Sequence, residues 1–316
     1  MDISVIVPLF NERESLPELR ERIAKTLDSN GLSYEILMVD DGSTDGSWDC
    51  IRSLSEGDTH VHGVRFRRNY GKSAALFCGF ERAQGEVVIT MDADLQDAPE
   101  EIPELYGMIM NDGYDLVSGW KRHRKDNAFT KNLPSKLYNA AARRITGVKL
   151  HDMNCGLKAY RKEVVKSIEV YGEMHRYIPY LAKNAGFSRI GEKEVHHEKR
   201  RYGKSKFGLE RFVNGFLDLQ SLWFLSSFGK KPMHFFGTSG LVMFLTGFVM
   251  TVWIIAAKLV HQAQGVKFRP VTDQPLFYLA LLTVVLGVVL FLAGLLGEMI
   301  ARSAPERNSY NIKEEL

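Results

Sequence analysis

Short apolar runs alternate with amphipathic stretches through the first 120 residues, and this alternation predicts strands succeeded by helices. Ile3-Ser4-Val5-Ile6-Val7 reads as a buried strand stopped by Pro8. Between Asn11 and Leu27, Leu16, Leu19, Ile23 and Leu27 recur at helical spacing, which predicts a helix over that range. A second strand follows at Tyr34 to Val39, then a short helix at Trp48 to Leu54 and a third strand at Val61 to Phe66. A helix at Lys72 to Ala83, a fourth strand at Val87 to Met91 and a short one at Tyr114 to Ser118 complete the series. Strands alternating with helices predict an α/β domain whose parallel sheet is covered on both faces.

The pattern changes after about residue 206. No Lys, Arg, Asp or Glu occurs from Pro232 to Ala257, or from Gln274 to Gly297. Each stretch exceeds the roughly 20 apolar residues a helix needs to cross a bilayer. The expected organisation is therefore a soluble domain at 1–206 and a juxtamembrane segment at 207–231. Two spans at about 233–257 and 275–297, within 232–300, and a tail at 301–316 follow. In the juxtamembrane segment Phe212, Phe216, Leu219 and Trp223 share one helical face, which suits either a packed core helix or one lying along the membrane surface. His234 is the one ionisable residue in the spans, which disfavours an ion pathway and leaves anchors or a homo-oligomer interface. Gly237, Gly240, Gly247, Gly287 and Gly294 would permit close helix approach.

The first residues, Met1-Asp2-Ile3-Ser4, lack a basic n-region, so a cleaved signal peptide is not expected. Lys230 and Lys231 before the first span, with Arg302 and Arg307 after the second, support a cytosolic soluble domain, although Lys258, Lys267 and Arg269 in the connecting loop make the asymmetry mild. Three cysteines, Cys50, Cys78 and Cys155, have no metal-ligand spacing and read as ordinary thiols of a reducing compartment. The net charge is only +3, but basic residues cluster at Lys121, Arg122, Arg124, Lys125, Lys131 and Lys136, and again at Lys199 to Lys206. Beside membrane spans such clusters suit lipid headgroups or a lipid-linked phosphate. Nucleic acid is a poor partner, since no recognition motif accompanies the charge.

Four loops carry the candidate chemistry. Pro8 to Glu12 and Asp40 to Asp45 follow the first two strands, and Arg68 to Lys72 and Asp92-Ala93-Asp94-Leu95-Gln96 follow the third and fourth. Taken singly, Asn11 and Ser43 to Asp45 read as helix caps, Gly71 as a turn and Lys72 as surface. Together, acids able to hold a base or ribose, a Gly-Lys step and a pair of carboxylates at a sheet edge suit a nucleoside diphosphate with a hard cation. Neither a Walker A spacing nor G-x-G-x-x-G is present.

Val5 to Glu12 (V-I-V-P-L-F-N-E), Val39 to Ser47 (V-D-D-G-S-T-D-G-S) and Met91 to Pro99 (M-D-A-D-L-Q-D-A-P) resemble the family 2 glycosyltransferases. Asn69 to Ala75, Asp152 to Lys158, His175 to Leu181 and His197 to Phe207 resemble the polyprenyl-phosphate branch, the relatives of dolichol-phosphate mannose synthase. Two following spans suit the bacterial membrane-anchored members. The resemblance implies a GT-A fold plus a C-terminal transmembrane hairpin, a nucleotide-sugar donor, a polyprenyl phosphate acceptor, Mg²⁺ or Mn²⁺, and the bacterial inner membrane. It further implies that Pro8, Glu12, Asp41, Gly71, Lys72, Asp92, Ala93 and Lys206 line the nucleotide site and that Asp92, Asp94 and Gln96 surround the metal. Lys121, Lys131 and Ser135 would grip the acceptor phosphate, where relatives often carry Arg. A lysine holds phosphate as a point charge, without the bidentate fork. Arg200, Ser205 and Lys206 match a segment that closes over the donor phosphates.

The implied reaction is an inverting displacement by an already anionic phosphate, which needs positioning more than deprotonation. Asp92, Asp94 and Arg200 would act on the donor, while Asp152 is either a base or orienter, or the cap of the turn after it. A processive polysaccharide synthase of the same fold is the nearest rival. It is disfavoured because Gln220-Ser221-Leu222-Trp223-Phe224 lacks the Arg of Q-x-x-R-W and because two spans are few for a channel. A lipid flippase is disfavoured by the apolar spans, and a silent scaffold by the intact acids.

Overall fold

A computed structural model of the chain describes residues 1–122, 143–144, 146–198, 201–202, 224, 232–265, 269–303 and 312–316. The chain divides into two compact units, Met1–Gln220 with Arg307–Leu316, and Ser221–Glu306.

In the first unit, β1 (Ile3–Leu9), β2 (Tyr34–Asp40), β3 (Val61–Phe66) and β4 (Val87–Thr90) alternate with α1 (Leu16–Ser29), α2 (Ser47–Gly57) and α3 (Lys72–Arg82). Then come α4 (Ile102–Met110), β5 (Leu116–Trp120), β6 (Lys158–Arg161), α5 (Lys162–Ser167), α6 (Ile178–Asn184) and β7 (Ile190–Glu194). Every residue of β1 and β2 is buried, as expected of central strands with helices on both faces. Helix α1 buries Leu16, Leu19, Ile23 and Leu27, the predicted stripe. It starts at Leu16, not Asn11: Asn11 lies at φ 56, outside helical space, and Pro17 suits the first helical turn.

The sheet is mixed rather than parallel, in the order β7-β5-β6-β4-β1-β2-β3-β8. Strand β6 runs antiparallel to both β4 and β5, and β8 (Ile312–Glu315) antiparallel to β3. Their sequences, K-A-Y-R and I-K-E-E, carry no apolar run that would announce a strand. Strand β5 is likewise shifted two residues beyond the expected Tyr114 to Ser118, into register with β6 and β7. The expected tail thus returns as an edge strand, with Leu316 N–H bonding the Gly63 carbonyl at 2.6 Å and Arg82 pairing with Glu315.

The second unit is a hairpin of α7 (Pro232–Ala263) and α8 (Pro275–Ser303), both long and apolar enough to cross a membrane. Helix α7 continues through Lys258, beyond the expected end at 257. The helices meet backbone to backbone at glycine: a Cβ on Gly240 would lie 2.6 Å from the Gly287 carbonyl oxygen, and one on Gly247 2.7 Å from that of Ala280. Such small-residue contacts replace hydrophobic driving force in lipid. Outward faces carry large apolar side chains, Trp253 and Val249 among them.

Candidate active site

Strands β3, β2, β1 and β4 are parallel neighbours, so the four candidate loops leave one edge of the sheet. That edge is where open α/β sheets bind ligands. The loops are bonded to one another. Asn11 N–H donates to Ser43 Oγ at 2.8 Å, and Thr44 N–H donates back to Asn11 Oδ1 at 2.8 Å. Glu12 N–H reaches Ser47 Oγ at 3.1 Å. Neither α1 nor α2 has a side-chain cap, so Asn11 and Ser43 stitch the first two loops together instead.

Asp41 joins the second loop to the third. Its Oδ1 accepts Tyr70 N–H at 2.7 Å and its Oδ2 accepts Gly71 N–H at 2.9 Å. Burial raises this carboxyl above its usual range, against the pull of those two donors. Gly42 makes the junction fit: it sits at φ +75, and a Cβ there would come within 2.6 Å of the Arg68 backbone. Pro8 is buried in β1 in register with Val39, and Glu12 is half-buried in the loop beyond it.

Gly71, at φ +95, turns the chain into α3, whose first residue, Lys72, donates to Asp92 Oδ1. Around Asp92 burial would raise the carboxyl, but the charges of Lys72, Lys121 and Lys158 win and hold it down at about 2. Gly156 lies against the same carboxylate, where a Cβ would approach Oδ2 to 2.5 Å. Ala93 is buried beneath the loop. Asp94 Oδ1 accepts Gln96 N–H at 3.2 Å, and between them Leu95 is fully buried at φ 57. A buried, branched residue in left-handed space is strain held by its surroundings, of a kind that gathers at functional sites.

Lys121 does not belong to a surface cluster. Its side chain is 11% exposed and pairs with buried Asp97 at 2.6 Å. Burial disfavours its charge, but Asp97 outweighs burial and keeps it an ammonium. Asp152 is 3% exposed; its Oδ1 accepts Asn154 N–H at 3.1 Å, the turn-capping arrangement, and its own N–H bonds Glu192 at 3.1 Å. Of the remaining site candidates, Lys131, Ser135, Arg200 and Lys206 lie outside the described residues, as does most of the 207–231 segment. The stretch leading to Arg200 is docked on the carboxylate loop: Glu198 N–H donates to the Gln96 carbonyl at 2.9 Å, and His197 bridges Asp97.

Beside Asp92 opens a cleft of about 380 Å³. Lys72 and Leu76 of α3, Asp92, the Met153–Gly156 loop, Lys158, His175 and Arg176 line it. Lys158 is buried, donates to the Cys155 carbonyl, and has its pKa lowered first by burial. Burial pushes the Cys155 thiol up to about 12, so it is no nucleophile. Burial, with Lys72 and Arg176 nearby, holds His175 well below the usual histidine range. The motifs D-M-N-C-G-L-K and H-R-Y-I-P-Y-L were legible in the sequence, but nothing in their spacing showed that they face one cleft.

Residues 4–169 match the family described as Glycosyl transferase family 2. The chain is similar to the dodecaprenyl-phosphate galacturonate synthase of Rhizobium johnstonii, 35% identical over 96% of this chain and 88% of that one. It is also similar to the undecaprenyl-phosphate 4-deoxy-4-formamido-L-arabinose transferase of Shewanella sediminis, 38% identical over 95% of this chain and 87% of that one. Among solved structures, glucosyl-3-phosphoglycerate synthase of Mycobacterium tuberculosis, crystallised with Mn²⁺, UDP and glucosyl-3-phosphoglycerate, has a TM-score of 0.56. It covers 71% of this chain and 79% of its own, and at 21% identity the likeness is one of fold. That shared fold is the GT-A arrangement, a mixed α/β sheet with the acidic loop at its carboxyl edge. On the extent of both matches, this enzyme belongs to glycosyl transferase family 2.

Proposed function

We propose that the protein transfers a sugar, with inversion, from a nucleoside-diphosphate donor to polyprenyl phosphate in the bacterial inner membrane. One observation carries this reading. Similarity to two enzymes named for a polyprenyl-phosphate acceptor runs through 95% or more of the chain, hairpin included, and is not confined to the sheet domain.

The geometry supplies the parts. The stitched loops after β1, β2 and β3 form a rigid seat for the nucleoside, with Asp41 fixing the turn that presents Gly71 and Lys72. The diphosphate then lies over Asp92, where the Lys72 ammonium faces it. A hard divalent cation fits here: Asp92 and Asp94 offer two carboxylates and Gln96 an amide oxygen. No group of three or more His, Cys, Asp or Glu that could hold a metal occurs among the described residues. Donor phosphates would thus complete the shell, as is usual for Mg²⁺. Bound there, Mg²⁺ or Mn²⁺ would neutralise the charge of the departing diphosphate.

The protein's own contribution is positioning and fixed charge. Lys72 stands where negative charge grows on the leaving group, and being fixed it needs no reorganisation as it does. The acceptor phosphate is anionic near neutral pH, so its oxygen attacks the anomeric carbon without a proton being removed first. Arg200 and Lys206 would close over the donor, and Lys131 and Ser135, with Lys121, would meet the acceptor. Asp152 acts through the turn it caps. The hairpin anchors the domain beside an acceptor whose tail stays in the bilayer, with the sheet domain cytosolic and the outer helix faces toward lipid or another copy.

The test is transfer of labelled sugar to undecaprenyl phosphate by the detergent-solubilised protein, with Mg²⁺ or Mn²⁺ and a panel of UDP- and GDP-sugars. Label should enter the lipid phase from one donor, fall to background with EDTA and be lost in Asp94→Ala. A folded protein that binds nucleotide yet labels no lipid from any donor would overturn the reading.

A further inference from the structure

Apart from Lys72 and Asp92 at its edge, the lining of the cleft beside Asp92 has no part in holding nucleotide, cation or acceptor in the reading above. Its position gives it one. Across the sheet the nucleoside loops stand on β3, β2 and β1, and the acidic loop stands on β4. Next in order comes β6, and the cleft opens on that side, with Thr90 and Asp92 on one wall and Lys158 and Tyr160 on the next. A nucleoside-diphosphate sugar is linear in the same sense: base, ribose, diphosphate, sugar. With its nucleoside over β1 to β3 and its diphosphate at Asp92, the sugar is carried to the β6 side.

The lining suits a sugar ring. Leu76, Met153 and Ile178 offer apolar surface for the C–H face, while polar groups converge at a few points, the pattern of small-molecule pockets. At about 380 Å³ the cleft lies within their usual range of about 300–1,000 Å³. His175 is held in place by one hydroxyl. Its backbone N–H donates to Ser73 Oγ at 3.0 Å, and its Nδ1 lies 3.0 Å from the same oxygen. The ring is thereby fixed where it lines the cleft, with polar nitrogen to offer a sugar hydroxyl. Asn154 Oδ1 is buried with no hydrogen-bond partner among the described residues, an acceptor that a hydroxyl would satisfy. Arg176, 23% exposed and 3.7 Å from Glu173, supplies a guanidinium.

We propose that this cleft seats the transferred sugar, and that His175, with Arg176 and Asn154, reads its hydroxyl pattern as the specificity-determining set. The inference rests on the donor assigned above. It makes the choice of sugar a property of the turn Met174–Tyr177 and the loop Met153–Gly156, separate from nucleotide affinity.

The experiment measures two quantities for wild type, His175→Phe, His175→Gln and Arg176→Met. One is the discrimination between UDP-glucose, UDP-galactose, UDP-glucuronate and UDP-galacturonate, with GDP-sugars in parallel, taken both as kcat/KM for lipid labelling and as Kd by titration. The other is the inhibition constant of bare UDP or GDP. One hydrogen bond contributes about three- to tenfold, and an unpaired buried group adds to that. His175→Phe should compress the preference for the best sugar over the next by about tenfold and leave bare-diphosphate inhibition within about twofold. Gln, whose side-chain amide can donate or accept in place of the ring nitrogen, should restore most of it. Arg176→Met, at the rim, should also compress it and serves if the Phe variant does not fold.

Unchanged discrimination in both variants would overturn the assignment. So would a rise in the bare-diphosphate constant equal to that for sugar nucleotides, which would place His175 in the nucleotide seat. If wild type binds sugar nucleotides selectively but labels no lipid, the acceptor reading fails and the Kd ratios alone decide the cleft. A wild type that binds no sugar nucleotide overturns both.

Discussion

Substitution of Gly156 should cost activity before it costs the fold. An added Cβ would lie 2.5 Å from Asp92 Oδ2 and 2.7 Å from its Cγ, whereas ordinary contact begins at 3.4 Å. The carboxylate would have to recoil by about 0.9 Å, which disturbs its contact with Lys72 and the cation position. A misplacement of that size in a catalytic constellation costs about a hundredfold, or about 2.7 kcal/mol of barrier. The fold should lose little: Gly156 is not in left-handed space, so Gly→Ala gains about 0.4–1 kcal/mol through the unfolded chain, against an overpacking cost of about 1–3 kcal/mol at the carboxylate. Gly156→Ala should therefore lower kcat for lipid labelling about a hundredfold and raise the Mg²⁺ concentration needed for half-activity, with a Tm within a few degrees of wild type. Gly57→Ala is the control, since nothing lies within 4 Å of its Cβ position. Activity of Gly156→Ala within about threefold of wild type would show that Asp92 does not need its present position.

Three further outcomes follow from the structure. Because burial first, then Lys72 and Arg176, hold His175 below its usual range, the unfolded chain takes up that proton first. Stability is complete above the unfolded value of about 6.5 and falls as the pH drops through it, so melting in detergent between pH 7 and 5 should show a loss that His175→Gln reduces. An identical loss in the variant would refute this. Gly240→Leu would drive a side chain against the Gly287 carbonyl and the Phe291 amide, an overpacking of about 1–3 kcal/mol. Tm should fall while the Kd for bare nucleotide holds, and an unchanged melt would sink the packing argument. Deleting Ile312–Leu316 uncovers the β3 edge and should promote aggregation by light scattering, whereas Arg82→Glu, which breaks one partly exposed ion pair, should cost no more than about 1 kcal/mol. A truncated protein that stays monodisperse would count against β8 as an edge cover.

The parts of the fold legible in the sequence were those with strong local pattern. The mainly apolar runs of β1 and β2 and the stripe of α1 appear where they were expected. Strands β6 and β8 were not legible, because four-residue polar strands gain their identity from the neighbour they pair with. The start of α1 was misplaced since Asn11 looks like a cap, yet it bonds across to Thr44. At the site, the Asp92 and Asp94 loop could be read from its position after a strand. The inward turn of Lys121 could not, because Asp97, its counter-charge, shows only in three dimensions. The same holds for His175, 102 positions from the Ser73 that orients it.

The return of the chain as β8 also bears on how the protein is made. Arg82 and Glu315 are separated by 233 positions, with the whole hairpin between them. Strand β3 is synthesised early, yet its outer edge waits for a partner that leaves the ribosome only after both apolar helices have done so. Closing so large a loop is slow relative to local contacts. Until then the nascent domain exposes an open strand edge. An insertion error that stranded the tail across the bilayer would leave that edge open for good. On the topology proposed above, completion of the sheet therefore requires both ends of the hairpin to lie on one side.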